Sequence, residues 1–321
     1  MSTNKKLFIV LCCFLVLAGI SFHLITNSSK YKTQEQQRNN ATVKHDVNTR
    51  LPYTYLNNVI AQSGAGTSVY YKSLVSSDLF YNYSGKMQAE GLIRPFILAK
   101  AMSEVEKGNL KLDQKIRLTE SNITEGSPAL LEEPAGSEIK LGLLLEKMVT
   151  VNDNTAANML IDLLGMDAIN EYIQSQGYPD TELAVKMGDK AKAQAEEKQS
   201  SDKKIEVINY TSVNDLVTFF TKLYAGKCVS PTADKQMLAI LEQSRDNKKL
   251  GALLPKGVKL AHQVGETAGT INDAGIVYGK EPYVLAIMTD NSVDSARTLK
   301  TVNQISSIIY NAVTDKEVFK K

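Results

Sequence analysis

The sequence predicts an α+β domain: an antiparallel sheet flanked by helices, with a helical lobe formed by the middle of the chain. Three observations point there. Two short apolar, β-branched and aromatic segments open the folded part. A block with apolar spacing near 3.6 residues fills the middle, and three more strand-like segments and one long helix close the chain. Composition agrees. Hydrophobic residues are 43% and charged residues 22% of 321, which excludes a mostly disordered chain and a polytopic membrane protein. Lys+Arg is 37 and Asp+Glu is 35, so the formal charge is +2 and a nucleic-acid partner is not expected. The length suits two domains or one larger one, and no internal repeat is visible.

The first strand is Ser68 to Leu74, and Leu79 to Tyr83 reads as its hairpin partner. A helix follows over Leu92 to Val105. Its Pro95 is tolerable only in a first turn, so the helix should begin around Gly91. Leu141 to Val151, Thr155 to Leu164 and Asp167 to Gln176 continue the helical block. Ser212 to Tyr224 is another helix, capped by Thr211 or Ser212, and Pro231 to Ser244 is a further one. Lys259 to His262, Asp273 to Tyr278 and Tyr283 to Thr289 read as three antiparallel strands. Arg297 to Val313 is the closing helix. Met187 to Glu206 is rich in Ala, Lys and Glu and reads as a solvated surface helix or loop.

The N-terminus reads as an address. Residues 1–6 form a basic stub, 7–25 a membrane-spanning signal anchor and 26–50 a polar tether; the folded domain is 51–315 and 316–321 is a tail. Lys5 and Lys6 precede Leu7 to Ile25, a 19-residue apolar run. At about 1.5 Å per residue this nearly spans a bilayer core of about 30 Å. The basic flank stays inside, so the domain lies outside the cytoplasm. A cleaved signal peptide is the rival reading, against which stand the length of the run and the absence of an A-x-A-like site. Cys12 and Cys13 sit inside the run after Leu11, which disfavours a lipid-modified cysteine. Only Cys228 and His262 of the three Cys and three His fall in the folded region, so no disulfide framework, metal site or cofactor is expected.

Three segments then carry a resemblance. Gly91-Leu92-Ile93-Arg94 lies at the start of the first helix, Asn152-Asp153-Asn154 between two later helices, and Gln263-Val264-Gly265 on a late strand. In order and surroundings they resemble the S-x-x-K, S-D-N and K-T-G motifs of class A β-lactamases and penicillin-binding proteins. Gly108-Asn109-Leu110-Lys111-Leu112-Asp113 is similar to the segment after that family's first motif helix, and the resemblance covers most of 51–315. Glu266-Thr267-Ala268 is an alternative register for the third motif; spacing to Asn272-Asp273-Ala274 favours Gln263-Val264-Gly265. The resemblance implies a β-lactamase-like fold and, in an active member, hydrolysis of β-lactams or D-Ala peptides.

The departures bear on that chemistry. Gly91 stands at the nucleophile position and has no side chain. Arg94 replaces the Lys and cannot be deprotonated near neutral pH. Asn152 replaces the proton-relaying Ser, Gln263 the carboxylate-attracting Lys, and Val264 its hydroxyl neighbour. Asp153, Asn154 and Gly265 match the pattern. Loss of the nucleophile alone costs about 10⁶ in kcat in a triad-type site. No segment between Gly177 and Tyr210 clearly matches the loop that carries the family's deacylating Glu, and Glu196 and Glu197 sit in a charged run.

Substitute groups are few. Ser84 precedes Gly91 by seven residues, Cys228 follows a helix with no His nearby, and His262 sits on a strand beside the expected cleft. Each has an ordinary reading: a turn serine, a small packed hydrophobe, a strand histidine. Asp153 with Asn154 lacks the further carboxylates that a metal site needs. The expectation is therefore a membrane-anchored, extracytoplasmic, catalytically inactive relative with a binding or scaffolding role at the cell envelope; the alternative is an active hydrolase using an unrecognised nucleophile. Arg94 and Asn154 are the expected ligand-binding residues, with Arg94 gripping a carboxylate bidentately and the helix N-terminus at Gly91 facing an anion. A peptidoglycan stem peptide or an envelope protein is the expected partner.

Overall fold

A computed structural model describes residues 51–82, 85–188 and 208–314. The expected stub, anchor, tether and tail lie outside the described residues, as do Ser84, Glu196 and Glu197. No helix among the described residues is long and apolar enough to cross a membrane. The described residues belong to one compact unit.

The first helix, α1 (Tyr53–Ala61), is one the sequence reading lacks. Strands β1 (Gly66–Ser73) and β2 (Leu79–Asn82) form the expected hairpin, with Tyr70 opposite Tyr81. After β3 (Met87–Gln88), Glu90–Ile93 makes a 3₁₀ turn, and α2 (Arg94–Glu106) follows with Pro95 in its first turn. Strands β4 (Lys115–Arg117) and β5 (Glu138–Lys140) pair as a small ribbon. Helices α3 (Leu141–Thr150), α4 (Asn154–Leu164) and α5 (Met166–Ser175) complete the expected helical block. Strand β6 (Tyr210–Thr211) pairs with β3. Ser212 caps α6 (Val213–Tyr224) and Ser230 caps α7 (Pro231–Leu241), each hydroxyl accepting a first-turn N–H.

Strands β7 (Lys259–Thr267), β8 (Thr270–Tyr278) and β9 (Tyr283–Asp290) run antiparallel, and α8 (Ser295–Thr314) ends the fold. The main sheet has the order β2-β1-β9-β8-β7, so both ends of the folded chain build it. β7 extends five residues beyond the expected His262, which places the third motif inside a strand.

The sheet divides two cores. On β9, Val284, Ala286 and Met288 join the core under the helical lobe, while Tyr283, Leu285 and Ile287 join the core under α1 and α8. That is the two-residue period of a strand buried on both faces. α8 presents Val302, Ile305 and Ile309 at helical spacing to the second core. α2 is buried almost all round, including Arg94, Phe96, Ile97 and Leu98, and so passes through the lobe's centre, with the 3₁₀ turn that precedes it against β7.

Candidate active-site cleft

A cleft of about 520 Å³ opens where the 3₁₀ turn, the α3–α4 junction and the C-terminal half of β7 meet. Among its lining residues are Gly91, Arg94, Asn152, Asn154, Val264 and Gly265, so members of all three motifs converge on it. The backbone explains how. Glu90 and Asn152 both hold left-handed φ, 48° and 57°, a strained setting for non-glycine residues found at turns and functional sites. The strand before the turn is held on both sides: Ala89 donates to the Asn209 carbonyl at 2.8 Å, and the Asn272 amide donates to the Gln88 carbonyl at 3.0 Å.

Gly91 packs directly on β7. An ideal Cβ placed on it would run into the Val264 carbonyl oxygen and lie 3.1 Å from the Val264 carbonyl carbon and 3.2 Å from Gly265 Cα. A Cβ on Gly265 would lie 2.7 Å from the Gly91 nitrogen and 2.9 Å from the Ala89 oxygen. Two glycines thus let two backbones touch, and the space for a side chain at position 91 is taken by main chain.

Arg94 is buried, and its terminal nitrogens are already engaged. Nη1 donates to Asn152 Oδ1 at 2.7 Å and to the Met148 carbonyl at 3.4 Å; Nη2 donates to Asn154 Oδ1 at 2.5 Å. Burial lowers its pKa to about 10, against the opposing charges of Asp153 and Glu90, so it stays a cation at neutral pH. Both terminal nitrogens thus serve the asparagines, and Arg94 itself lines the cleft. Asn154 is occupied likewise, since its Nδ2 donates to the Glu125 carbonyl at 2.8 Å. The Gln263 amide donates to Asn152 Oδ1 at 2.5 Å, joining the third motif to the second.

Asp153 is a clamp. One oxygen accepts from the Ala156 N–H at 2.8 Å and caps α4; the other accepts from Ala129 and Leu130 at 2.9 and 3.0 Å. It fixes the loop that brings Gly126 and Pro128 to the cleft wall. Among the described residues no cluster of ligating side chains could hold a metal ion.

From the segment after Gly177, Met187 and Gly188 reach the cleft. An antiparallel bridge from Glu182 to Tyr210 and three asparagines hold the segment. Asn170 brackets Leu183 with bonds of 2.9 and 2.8 Å, and Asn158 brackets Met187 with 2.8 and 3.0 Å. Asn209 accepts from Ala184 and Val185 and donates to the Val185 carbonyl. These bonds fix the main chain that brings Met187 and Gly188 to the cleft wall.

Of the substitute groups, Cys228 and His262 lie elsewhere. Cys228 is buried in the helical lobe, and burial, aided by Asp234, pushes its thiol up to about 12. His262 is buried with Nδ1 2.9 Å from Asp273 Oδ1. Burial opposes its protonation, but the Asp273 charge and hydrogen bond outweigh that and raise its pKa. Neither residue lines the cleft.

Glu90, Asp246 and Glu266 also line the cleft, and of these Asp246 was not read from the sequence. Asp246 and Glu266 hold the buried ammonium of Lys249 at 2.7 and 2.8 Å. Only the short Asp246–Lys249 spacing carries any signal of this in the sequence.

Comparisons with known proteins agree with this fold. A family described as the beta-lactamase enzyme family matches residues 51–313. Beta-lactamase VEB-1 of Pseudomonas aeruginosa is 23% identical over 69% of this chain and 76% of its own length. Beta-lactamase AER-1 of Aeromonas hydrophila is 24% identical over 73% and 76%. Among solved structures, a beta-lactamase from Sphaerobacter thermophilus superposes with TM-score 0.73 at 24% identity, covering 82% of this chain and 98% of that one. PBP-A, in an acyl-enzyme complex with penicillin G, gives TM-score 0.73 at 25% identity over 81% and 94%.

Proposed function

Given that this chain belongs to the beta-lactamase enzyme family, we propose that it is a non-hydrolysing member whose cleft binds without forming an acyl-enzyme. One observation carries the reading: the place of a side chain at position 91 is filled by the Val264 carbonyl, so the first-motif turn offers no nucleophile and no room for one. Arg94 supplies a fixed cation spent on Asn152 and Asn154 rather than a base. The described residues of the 177–188 segment that reach the cleft are Met187 and Gly188, neither of which can activate a water.

The role that remains is recognition. Fold kinship and the N-terminal apolar run of 7–25 support a place at the cell envelope, with a stem peptide or an envelope protein as the partner. The test is intact mass after incubation of the full chain with a labelled penicillin. No mass gain is expected. A stoichiometric adduct, or steady nitrocefin turnover, would return the chain to the hydrolases.

A further inference from the structure

A second cavity, of about 660 Å³, lies between β3, β6, the β7–β8 turn and the end of β9. The hydrogen bond from the Thr267 hydroxyl to Glu90, 3.0 Å long, spans the ridge between it and the cleft. Two opposite charges face this cavity. The Lys86 ammonium stands 5.0 Å from the centre of the Tyr210 ring, a cation–π contact that orients it. Asp290 closes the other side.

The Asp290 position is built by the sheet. Asp290 lies opposite Gly66 in the β1–β9 register, and a Cβ on Gly66 would strike the Asp290 carboxylate. The missing side chain at position 66 is therefore what admits the carboxylate. Burial raises the Asp290 pKa, and a hydrogen bond from Asn291 partly offsets that. Asn291 holds a left-handed φ of 49°. Neither Lys86 nor Asp290 forms an ion pair with the other or with another described residue.

We propose that this cavity binds a zwitterion, an amino acid or short peptide whose carboxylate meets Lys86 and whose ammonium meets Asp290. The alternatives fit less well. A neutral sugar leaves both charges without a counter-charge, a simple anion meets the repulsion of Asp290, and a simple cation meets that of Lys86. The Tyr210 ring and Met87 supply the apolar wall that a side chain needs. The site uses residues distinct from those behind the non-hydrolytic reading and stands whether or not the cleft acylates.

The experiment is calorimetric titration of the full chain in detergent with alanine, alanylalanine and trialanine, and with the N-acetylated and C-amidated form of each. One of the three zwitterions is expected to saturate, and the length preferred reports the span between the two charges. Each blocked form should bind about tenfold or more weakly. Lys86→Ala should erase the preference over the amide, and Asp290→Asn the preference over the acetylated form, with unchanged melting temperatures. Absence of saturation, blocked forms binding equally well, or both variants binding like the parent would overturn the site. The penicillin mass measurement reads the cleft alone, so the two proposals fail separately.

Discussion

The α carbon of Gly91 is pressed against the carbonyl of Val264 so closely that no side chain fits between them. Gly265 is pressed against Gly91 in return. Putting a serine back at 91 is therefore not a simple reversal. Gly91→Ser should cost about 1–3 kcal/mol from overpacking, and Gly91→Ala about the same, because the Cβ alone makes the clash. Neither that variant nor Gly91→Ser with Arg94→Lys should acylate. Thermal melting and intact mass with penicillin check both halves; acylation at native stability would mean that β7 can retreat.

The Arg94 side chain links segments far apart in the chain, since its acceptors lie 58 and 60 residues away. Arg94→Met removes the charge but leaves two half-buried amide oxygens without their arginine donor, and Gln263 can satisfy only Asn152. Losses of about 1.5–3 kcal/mol are expected for hydrogen bonds to a charged group. Arg94→Lys should recover only part, since one ammonium cannot match the two-nitrogen geometry. Denaturant midpoints for the two variants give the comparison, and equal midpoints would sink the argument.

Much of the fold was legible because its periods are local. The alternation on β9, Pro95 in a first turn and the serine caps at 212 and 230 are all written within a few residues. What escaped the sequence reading depends on distant partners. α1 reads Tyr-Thr-Tyr-Leu with three β-formers and no side-chain cap, so only its packing under the sheet makes it a helix. β3 and β6 are two residues each and exist by pairing with each other. At the site, the motif positions were visible one by one. The Gln263–Asn152 bond spans 111 residues, and the Arg94 acceptors lie 58 and 60 residues away, so neither pairing is written locally. Met187 gave no chemical signal; its position in the cleft follows from Asn158.

Asn158 should accordingly control the cleft wall. Asn158→Ala removes both bonds to the Met187 main chain and leaves a buried N–H and C=O unpaired, a cost of about 2 kcal/mol. The loss should be local. Hydrogen exchange at Leu183 to Gly188 should speed up while β9 stays protected. Uniform acceleration across the sheet would show instead that Asn158 serves the whole fold.

Asp215 predicts a pH dependence with a definite sign. It is buried beneath the turn at 178–181, where one oxygen accepts from the Asp180 N–H and the Thr181 hydroxyl, both at 2.8 Å. Its other oxygen has no partner among the described residues. Burial is the main cause of its raised pKa of about 6, and the Thr181 and Asp180 bonds only partly oppose it. The folded state therefore holds this proton more tightly than the unfolded chain does. Its contribution to stability should be greatest in acid and fall as pH rises from about 4 through about 6. Asp215→Asn places an amide where the ionised form was disfavoured, so this component of the pH slope should vanish in that variant. Paired denaturation curves at pH 5 and 7 measure it, with a difference on the order of 1–2 kcal/mol expected in the parent. An identical slope in the variant would assign the titration to other groups, the His262–Asp273 pair among them.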